Sequence, residues 1–447
     1  MRTRRPHLLL PLALLISPAL VSASEQGHGA GPMVWLTLAA ILLVAKLGGE
    51  LAVRMKQPPV LGELCAGIVL GNLGLVGFHA FDHAAEMPSV SFLAELGVVL
   101  LLFEVGLEST LTEMKKVAPQ SGLVAVIGVI GPMVMGFGVT SWLLPDESMP
   151  AHLFVGATLC ATSVGITARV LQDLNAIDRV ESKIILGAAV IDDVLGLIVL
   201  AVVASIASSG SMPDTLGLVR IVGLATGFLV GALILGAFVM PGVFRAASRL
   251  RGPGVLAAVA IGLCLLLAGL ASLAGLAAIV GAFAAGLILD EVHVKPFGKK
   301  SAGDLSEYVA PIVGVLAPIF FVRTGMMVDL SALSAEPLIL AGALSVVAVI
   351  GKLVAGLGVV GGQKADRFAV GIGMIPRGEV GLIFANVGAG IHVNGEAVIV
   401  PNVYMAIVLM VMVSTVITPP WLSARLGTLQ KREAAAATGS TGPTDET

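Results

Sequence analysis

The chain alternates between long apolar stretches and short polar connections from residue 33 to residue 424. An apolar run of about 20 residues is long enough to cross the hydrocarbon core of a bilayer as a helix. The pattern predicts thirteen spans, at residues 33–53, 58–77, 89–107, 117–144, 151–172, 180–208, 215–244, 254–273, 275–290, 305–328, 337–360, 366–390 and 398–424. We therefore expect an all-α polytopic membrane protein, with a division near Ala274 that has almost no loop.

Two of the predicted spans contain residues that interrupt a helix. The interrupting residues are Thr162, Ser163, Gly165 and Thr167 in span 151–172, and Pro376, Gly378 and Gly381 in span 366–390. Unwound backbone inside a membrane is tolerated where it lines a cavity, and two such segments in the two halves of a transporter indicate the substrate site. Serine and threonine also serve as plain hydrogen-bonding residues between helices. Both interpretations of the first segment stay open at this point.

The composition excludes a soluble globular protein. Hydrophobic residues make up 57% of the 447 residues and charged residues only 12%, where a soluble domain has about a quarter. Alternating strands typical of an outer-membrane barrel are absent from the sequence. The three cysteines, Cys65, Cys160 and Cys264, lie in apolar runs and are interpreted as small hydrophobic residues. No cofactor is expected.

The charges outside the apolar runs predict the orientation in the membrane. Residues 1–23 resemble a secretory signal peptide, with a basic start, an apolar centre and a small-residue cleavage site; an uncleaved first helix is the alternative. With the mature N-terminus outside, most of the lysines and arginines fall in inside loops, as the positive-inside rule requires. We expect a protein of the cell (inner) membrane with a cytoplasmic C-terminus. The polar tail, 431–447, is predicted to be disordered.

Two adjacent carboxyl groups, Asp192 and Asp193, lie within the apolar stretch AAVIDDVLGLIVLAVV. One acidic residue at the centre of a bilayer costs about 2.5–3.5 kcal/mol on insertion scales. Successive helical side chains point about 100° apart, so the two carboxyls cannot share one direction. A buried carboxylate can hold either a proton or a small cation as a hard oxygen ligand. The pair is therefore a candidate ion- and proton-binding site in which the two ligands compete.

Other charged residues lie inside apolar spans. Lys352, near the middle of its span, requires an anionic partner, and one of the two aspartates is the natural candidate. Snorkelling to the inside surface is the alternative for this lysine. Arg377 and Glu379 in PRGEVGLIFA are expected to pair with each other or across helices. Glu63 and other membrane-embedded glutamates are expected to have interhelical or interfacial roles, although they could also line an ion path.

The chain resembles the monovalent cation:proton antiporters, in particular the family-2 branch that includes NapA-type sodium exchangers and Kef potassium efflux systems. The matching stretches are QPPVLGELCAGIVLG, LAELGVVLLLFEVGLE, ATSVGITARVL, AAVIDDVLGLIVLA, PIFFVRTGM, the GKL around Lys352, and PRGEVGLIFA. The resemblance implies an inverted-repeat fold with two crossed broken helices. It also implies core and dimerisation subdomains within residues 33–425, a homodimer, and elevator-type alternating access.

The resemblance further implies roles for individual residues. Asp193 matches the cation-binding aspartate, Asp192 is associated with Lys352, and Thr162 and Ser163 match the crossing region and could supply further ligands. Arg377 and Glu379 stay candidates for a salt bridge or for coupling, as does Lys352.

These observations predict an electrogenic antiporter, not an enzyme, that exchanges Na+ or Li+ for protons. A K+/H+ antiporter of Kef-like ancestry without a regulatory domain is the alternative. A sodium-coupled organic-anion symporter is less favoured because few basic residues are available for an anion. The expected partners are the transported ions, membrane lipids and a second copy of the chain, with no nucleic acid.

Overall fold

The structure is a computed structural model. It describes residues 31–109, 111–209, 215–247, 249–250, 254–289, 305–328, 330, 335–361, 365–393 and 396–439. The predicted signal segment, 1–23, lies outside these ranges.

The described chain is almost entirely helical, and its helices follow the predicted apolar runs. In chain order they are α1 (Pro32–Arg54), α2 (Pro59–Gly71), α3 (Pro88–Leu107), α4 (Leu111–Leu143), α5 (Met149–Thr158), α6 (Val164–Asp173), α7 (Val180–Ser209), α8 (Thr215–Ala247), α9 (Val255–Leu273), α10 (Ala278–Ile288), α11 (Leu305–Met326), α12 (Ala335–Ala355), α13 (Arg367–Gly373), α14 (Glu379–Gly390) and α15 (Pro401–Gly439). A two-stranded antiparallel hairpin, β1 (His392–Val393) and β2 (Glu396–Ala397), separates α14 from α15.

Nine helices in the described ranges are long and apolar enough to cross a membrane. The multi-pass architecture is thus confirmed. Helices α2 and α10 are shorter, with 13 and 11 residues, so the count of thirteen spans stays a prediction. The division near Ala274 is confirmed, because α9 ends at Leu273 and α10 begins at Ala278.

Two helix ends differ from the sequence prediction. Helix α2 ends at Gly71, six residues before the predicted end of span 58–77, and a 3-10 turn follows. Asn72 terminates it: its side-chain amide donates to the carbonyls of Ile68 at 2.8 Å and Val328 at 2.6 Å. At the other end of the chain, α15 continues to Gly439, so the first part of the tail predicted to be disordered is helical. The remainder, 440–447, lies outside the described ranges.

The helices pack in two groups. Helices α1, α2, α3, α10 and α11 contact one another closely, and α4, α5, α7, α12 and α15 form the second group. Glycines permit close approach within the first group: a Cβ added at Gly325 on α11 would overlap the Leu64 carbonyl oxygen of α2. Helix α6 contacts α2 and α3 of the first group as well as α7 and α15 of the second. It therefore lies at the boundary between the two groups.

Candidate ion-binding site

Two helical spans are interrupted, and both interruptions were predicted from the sequence. Helix α5 ends at Thr158 and α6 begins at Val164; helix α13 ends at Gly373 and α14 begins at Glu379. The intervening residues, 159–163 and 374–378, are not helical. Breaking a helix frees backbone N–H and C=O groups, which need other partners inside a membrane.

The two breaks contact each other and satisfy part of this requirement. The Ser163 N–H donates to the Pro376 carbonyl at 2.8 Å. The Thr162 hydroxyl lies 3.5 Å from the Met374 carbonyl, and the Thr167 hydroxyl donates to the Gly373 carbonyl at 2.7 Å. The hydroxyls of Thr162 and Thr167 thus face the second broken helix. The broken helices therefore meet at their interruptions, which places free helix ends and carbonyl oxygens in the protein interior.

Asp192 lies beside this crossing and forms an ion pair with Lys352 of α12. The Lys352 Nζ lies 3.3 Å from Asp192 Oδ1 and 3.4 Å from Oδ2. The Asp192 side chain is 1% exposed and the Lys352 side chain is 0% exposed. Gly128 leaves room for the ammonium group, because an added Cβ there would lie 3.4 Å from Nζ. The expected contact between Asp192 and Lys352 is present, and it is completely shielded from solvent.

Arg377 occupies the second break and reaches into the first. Its side chain is fully buried, and Nη1 donates to the Ala161 carbonyl at 2.8 Å. A second donor, Nη2, lies 3.5 Å from the Ala348 carbonyl of α12, and the guanidinium interacts electrostatically with Asp192. Arg377 thus stabilises a backbone carbonyl that the broken helix leaves free. The side chain of Glu379 lies outside the described part of the chain, so its pairing with Arg377 stays a prediction.

Asp193 points in a different direction from Asp192. It is half-buried and lines a small cavity together with Leu102 of α3, Val164 of α6, and Ile279 and Phe283 of α10. Val164 directly follows Ser163, so the cavity lies next to the first break. Asp192 therefore contacts a helix of its own group, whereas Asp193 faces the boundary between the two groups.

Sequence reasoning missed several polar residues around the crossing. The Thr415 hydroxyl of α15 donates to the Arg377 carbonyl at 2.6 Å, and the Ser414 hydroxyl accepts from the Arg377 N–H at 3.3 Å. The Cys160 thiol lies 3.3 Å from the Val129 and Gly156 carbonyls. Ser414 and Thr415 are hydroxyl residues in the middle of the last apolar span, so they could have been recognised from the sequence. Cys160, interpreted as a hydrophobic residue, gave none.

Ion pairs at one end of the bundle hold the start of the second broken helix. Asp366 caps α13 by accepting from the Ala369 N–H at 2.7 Å, and its carboxylate accepts from Arg425 of α15 at 2.6 and 3.0 Å. Partial burial opposes ionisation, yet the hydrogen bonds from Arg425 and the backbone hold the pKa of Asp366 below its usual range. The Asp366 N–H also donates to Glu181, the second residue of α7. Helices α7, α13 and α15 are thus tied together.

The geometry combines a cavity-lining carboxylate, an adjacent buried ion pair and two interrupted helices. Carboxylate, hydroxyl and carbonyl oxygens are the ligands that small hard cations prefer. A carboxylate that binds such a cation must first release its proton. Asp193 thus stays the candidate for binding either a cation or a proton.

Comparisons with known proteins agree on one family. A family model for the transmembrane sodium/hydrogen exchangers matches residues 39–426. The high-affinity Na+/H+ antiporter NhaS3 of Synechocystis is 38% identical, over 96% of this chain and 97% of that protein. The Na+/H+-K+ antiporter GerN of Bacillus cereus is 33% identical, over 88% of this chain and 96% of that protein. The fold is similar to the sodium proton antiporter MjNhaP1 of Methanocaldococcus jannaschii, with a TM-score of 0.59, 18% identity, and coverage of 89% and 97%.

Proposed function

The chain belongs to the family of transmembrane sodium/hydrogen exchangers, and we propose that it is an electrogenic antiporter that exchanges Na+ or Li+ for protons. One observation carries the proposal: a cavity-lining carboxylate, Asp193, directly follows Asp192, which is paired with a buried lysine. Asp193 binds the cation, and Thr162 and Ser163 contribute oxygen ligands from the first break. Arg377 and Glu379 complete the charged network around the crossing.

Competition at Asp193 couples the two fluxes. A proton and a cation cannot occupy the same carboxylate together, so each bound cation displaces a proton. Asp192 and Lys352 provide a second pair of ionisable groups beside it. If this pair also releases a proton when the cation binds, more than one proton moves per cation, and exchange carries net charge across the membrane.

The remaining expectations about architecture belong to this proposal. We place the protein in the family-2 branch, with thirteen spans arranged as inverted repeats within 33–425. The two helix groups correspond to a dimerisation subdomain and a core that moves against it in an elevator-type cycle. The protein acts as a homodimer in the cell (inner) membrane, with its N-terminus outside after removal of residues 1–23 and a cytoplasmic C-terminus.

Transport by purified protein in liposomes tests the assignment of Asp193. A dye that reports interior pH should show proton movement when Na+ or Li+ is added, and Asp193→Asn should abolish it. Asp146→Asn, in an exposed loop, is the matched control and should behave as the wild type. Undiminished flux in Asp193→Asn would remove Asp193 from the site.

K+/H+ exchange is the second candidate, because the relative GerN is described as a Na+/H+-K+ antiporter. Replacing Na+ by K+ in the same liposomes distinguishes the two functions. Proton movement with K+ but not with Na+ or Li+ would favour this candidate over the first.

A further inference from the structure

A second group of ionisable side chains lies buried between the two helix groups. Glu63 of α2 is 2% exposed and Glu104 of α3 is 3% exposed. Both face the last two turns of α6, which carry Arg169, Gln172 and Asp173. None of these residues takes part in the crossing of the broken helices. They form what we call the α6 cluster.

The α6 cluster contains three carboxyl groups, those of Glu63, Glu104 and Asp173, and one cationic side chain, that of Arg169. Arg169 Nε lies 3.1 Å from Asp173 Oδ1, and their side chains are 14% and 10% exposed. Glu104 has hydrogen-bonding partners in Gln172 and Ser306. Three oxygens of the cluster, Glu63 Oε2, Asp173 Oδ2 and Gln172 Oε1, are buried without a hydrogen-bond partner among the described residues. Asp173 has Arg169 beside its other carboxyl oxygen, so Glu63 is the less compensated of the two acids. A buried carboxylate oxygen without a donor is strongly disfavoured, and burial favours the neutral, protonated carboxyl over the ionised one.

The charges that face Glu63 do not compensate for full ionisation. They are Arg169, Asp173 and Lys46, and the Lys46 ammonium is already hydrogen-bonded to the Gly314 carbonyl at 2.8 Å. The other charged residues on the helices packed against α2 are engaged or exposed. These are Glu50 paired with Arg54, Arg323 hydrogen-bonded to the Ala85 carbonyl, Arg425 paired with Asp366, and the exposed residues Glu307, Lys431, Arg432 and Glu433. Ionising all three carboxyls would thus leave a buried net negative charge.

Helix α6 connects the α6 cluster to the crossing of the broken helices. Helix α6 has 10 residues and is therefore about 15 Å long. Its first end adjoins Ser163 at the crossing, and its other end carries the cluster. Ionised glutamates on α2 and α3 attract Arg169 and so hold α6 against the first helix group; a proton on Glu63 weakens that attraction.

We propose that Glu63 is a second, exchangeable proton-binding site, distinct from Asp193, and that its ionisation through Arg169 sets how firmly α6 is held against α2 and α3. This inference rests on the proposed antiport, since that function makes movement of α6 relevant. Its proton-binding part can be tested without transport.

Infrared difference spectra of the purified protein, recorded while the pH is raised, detect protonated carboxyl groups directly. The measurements are made in an Asp193→Asn background, so that Asp193 does not contribute. We expect one carbonyl-stretch component to disappear with rising pH, and Glu63→Gln to remove that component. The matched control is Glu50→Gln on the exposed face of α1, which should leave the component in place. An unchanged component in Glu63→Gln would overturn the proposal.

Two further measurements keep the test decisive if Glu63→Gln folds poorly. Glu104→Gln removes a neighbouring negative charge, so ionisation of Glu63 becomes less costly. The component should therefore disappear at a lower pH than in the parent. An unmoved midpoint would contradict the cluster. Adding Na+ at fixed pH should not remove the component; if it does, the site takes a cation and the proton assignment is wrong.

Transport separates this proposal from the function on which it rests. In the Asp193-containing protein, Glu63→Gln should change the shape of the pH profile of cation-driven proton flux, whereas Glu50→Gln should not. An unchanged pH profile would overturn only the proposed effect of Glu63 on how firmly α6 is held against α2 and α3. If the wild type shows no flux, the antiport proposal fails, and the infrared titration still decides whether Glu63 binds a proton.

Discussion

Removing one partner of the Asp192–Lys352 pair should destabilise the protein far more than removing both. Lys352→Met leaves the Asp192 carboxylate, which is 1% exposed, without its cation. Asp192→Asn leaves a buried ammonium and also removes the negative charge that interacts with Arg377. The double variant carries neither charge at these two positions. It should therefore recover much of the stability that either single variant loses.

The expected magnitude follows from the distance and the burial. Two unit charges 3.3 Å apart attract each other by about 5 kcal/mol at an effective dielectric constant of about 20. Loss of one partner of a buried pair costs roughly 3–5 kcal/mol, because an uncompensated charge remains. We expect Lys352→Met to lower the free energy of unfolding by about that amount.

Reversible unfolding in mixed detergent micelles, followed by circular dichroism, measures these free energies for the wild type, both single variants and the double variant. Lys116→Met, at an exposed position of α4, is the matched control and should change stability by less than about 0.5 kcal/mol. The reasoning is refuted if Lys352→Met behaves like this control. It is also refuted if the losses of the single variants simply add in the double variant.

Three further predictions concern contacts that hold the helices together. Arg425 helps to hold the pKa of Asp366 below its usual range. The stability from this pair is therefore fully present above the pKa of Asp366 in the unfolded chain, and it is lost as the pH falls through the pKa in the folded protein. Asp366→Asn should make the free energy of unfolding depend less on pH in the acid range. Thr167→Val removes the 2.7 Å hydrogen bond to the Gly373 carbonyl and should lower the free energy of unfolding by about 1 kcal/mol. Gly325→Ala places a methyl group against a backbone carbonyl of α2 and should cost about 1–3 kcal/mol; wild-type stability in either variant would contradict the contact.

Structural features that depend on a few neighbouring residues could be predicted from the sequence. The interruptions at 159–163 and 374–378 follow from hydroxyl residues, proline and glycine inside apolar runs, since these residues have local effects on the backbone. A contact between Lys352 and one of the two aspartates could be inferred because opposite charges in the membrane interior have few other partners. The choice of Asp192 came from the family resemblance.

Contacts to backbone atoms could not be predicted in the same way. Arg377 donates to the Ala161 carbonyl, and nothing in the sequence distinguishes that carbonyl from the others released by the break. The end of α2 at Gly71 depends on the hydrogen bond from Asn72 to the carbonyl of Val328, which lies 256 residues later in the sequence. Glu63 could be recognised as a buried acid, but its position opposite Arg169 depends on how α6 packs between the two helix groups.

The two adjacent aspartates differ most in what surrounds them. Asp192 and its partner Lys352 lie on α7 and α12, which belong to the same helix group, so a relative movement of the two groups would leave their distance unchanged. Asp193 shares its cavity with α3 and α10 of the other group, so such a movement would change its surroundings. An elevator-type cycle would therefore leave the ion pair intact while it alternately opens and closes access to Asp193. On that basis, a crosslink between α3 and α7 should stop exchange without disturbing the Asp192–Lys352 pair.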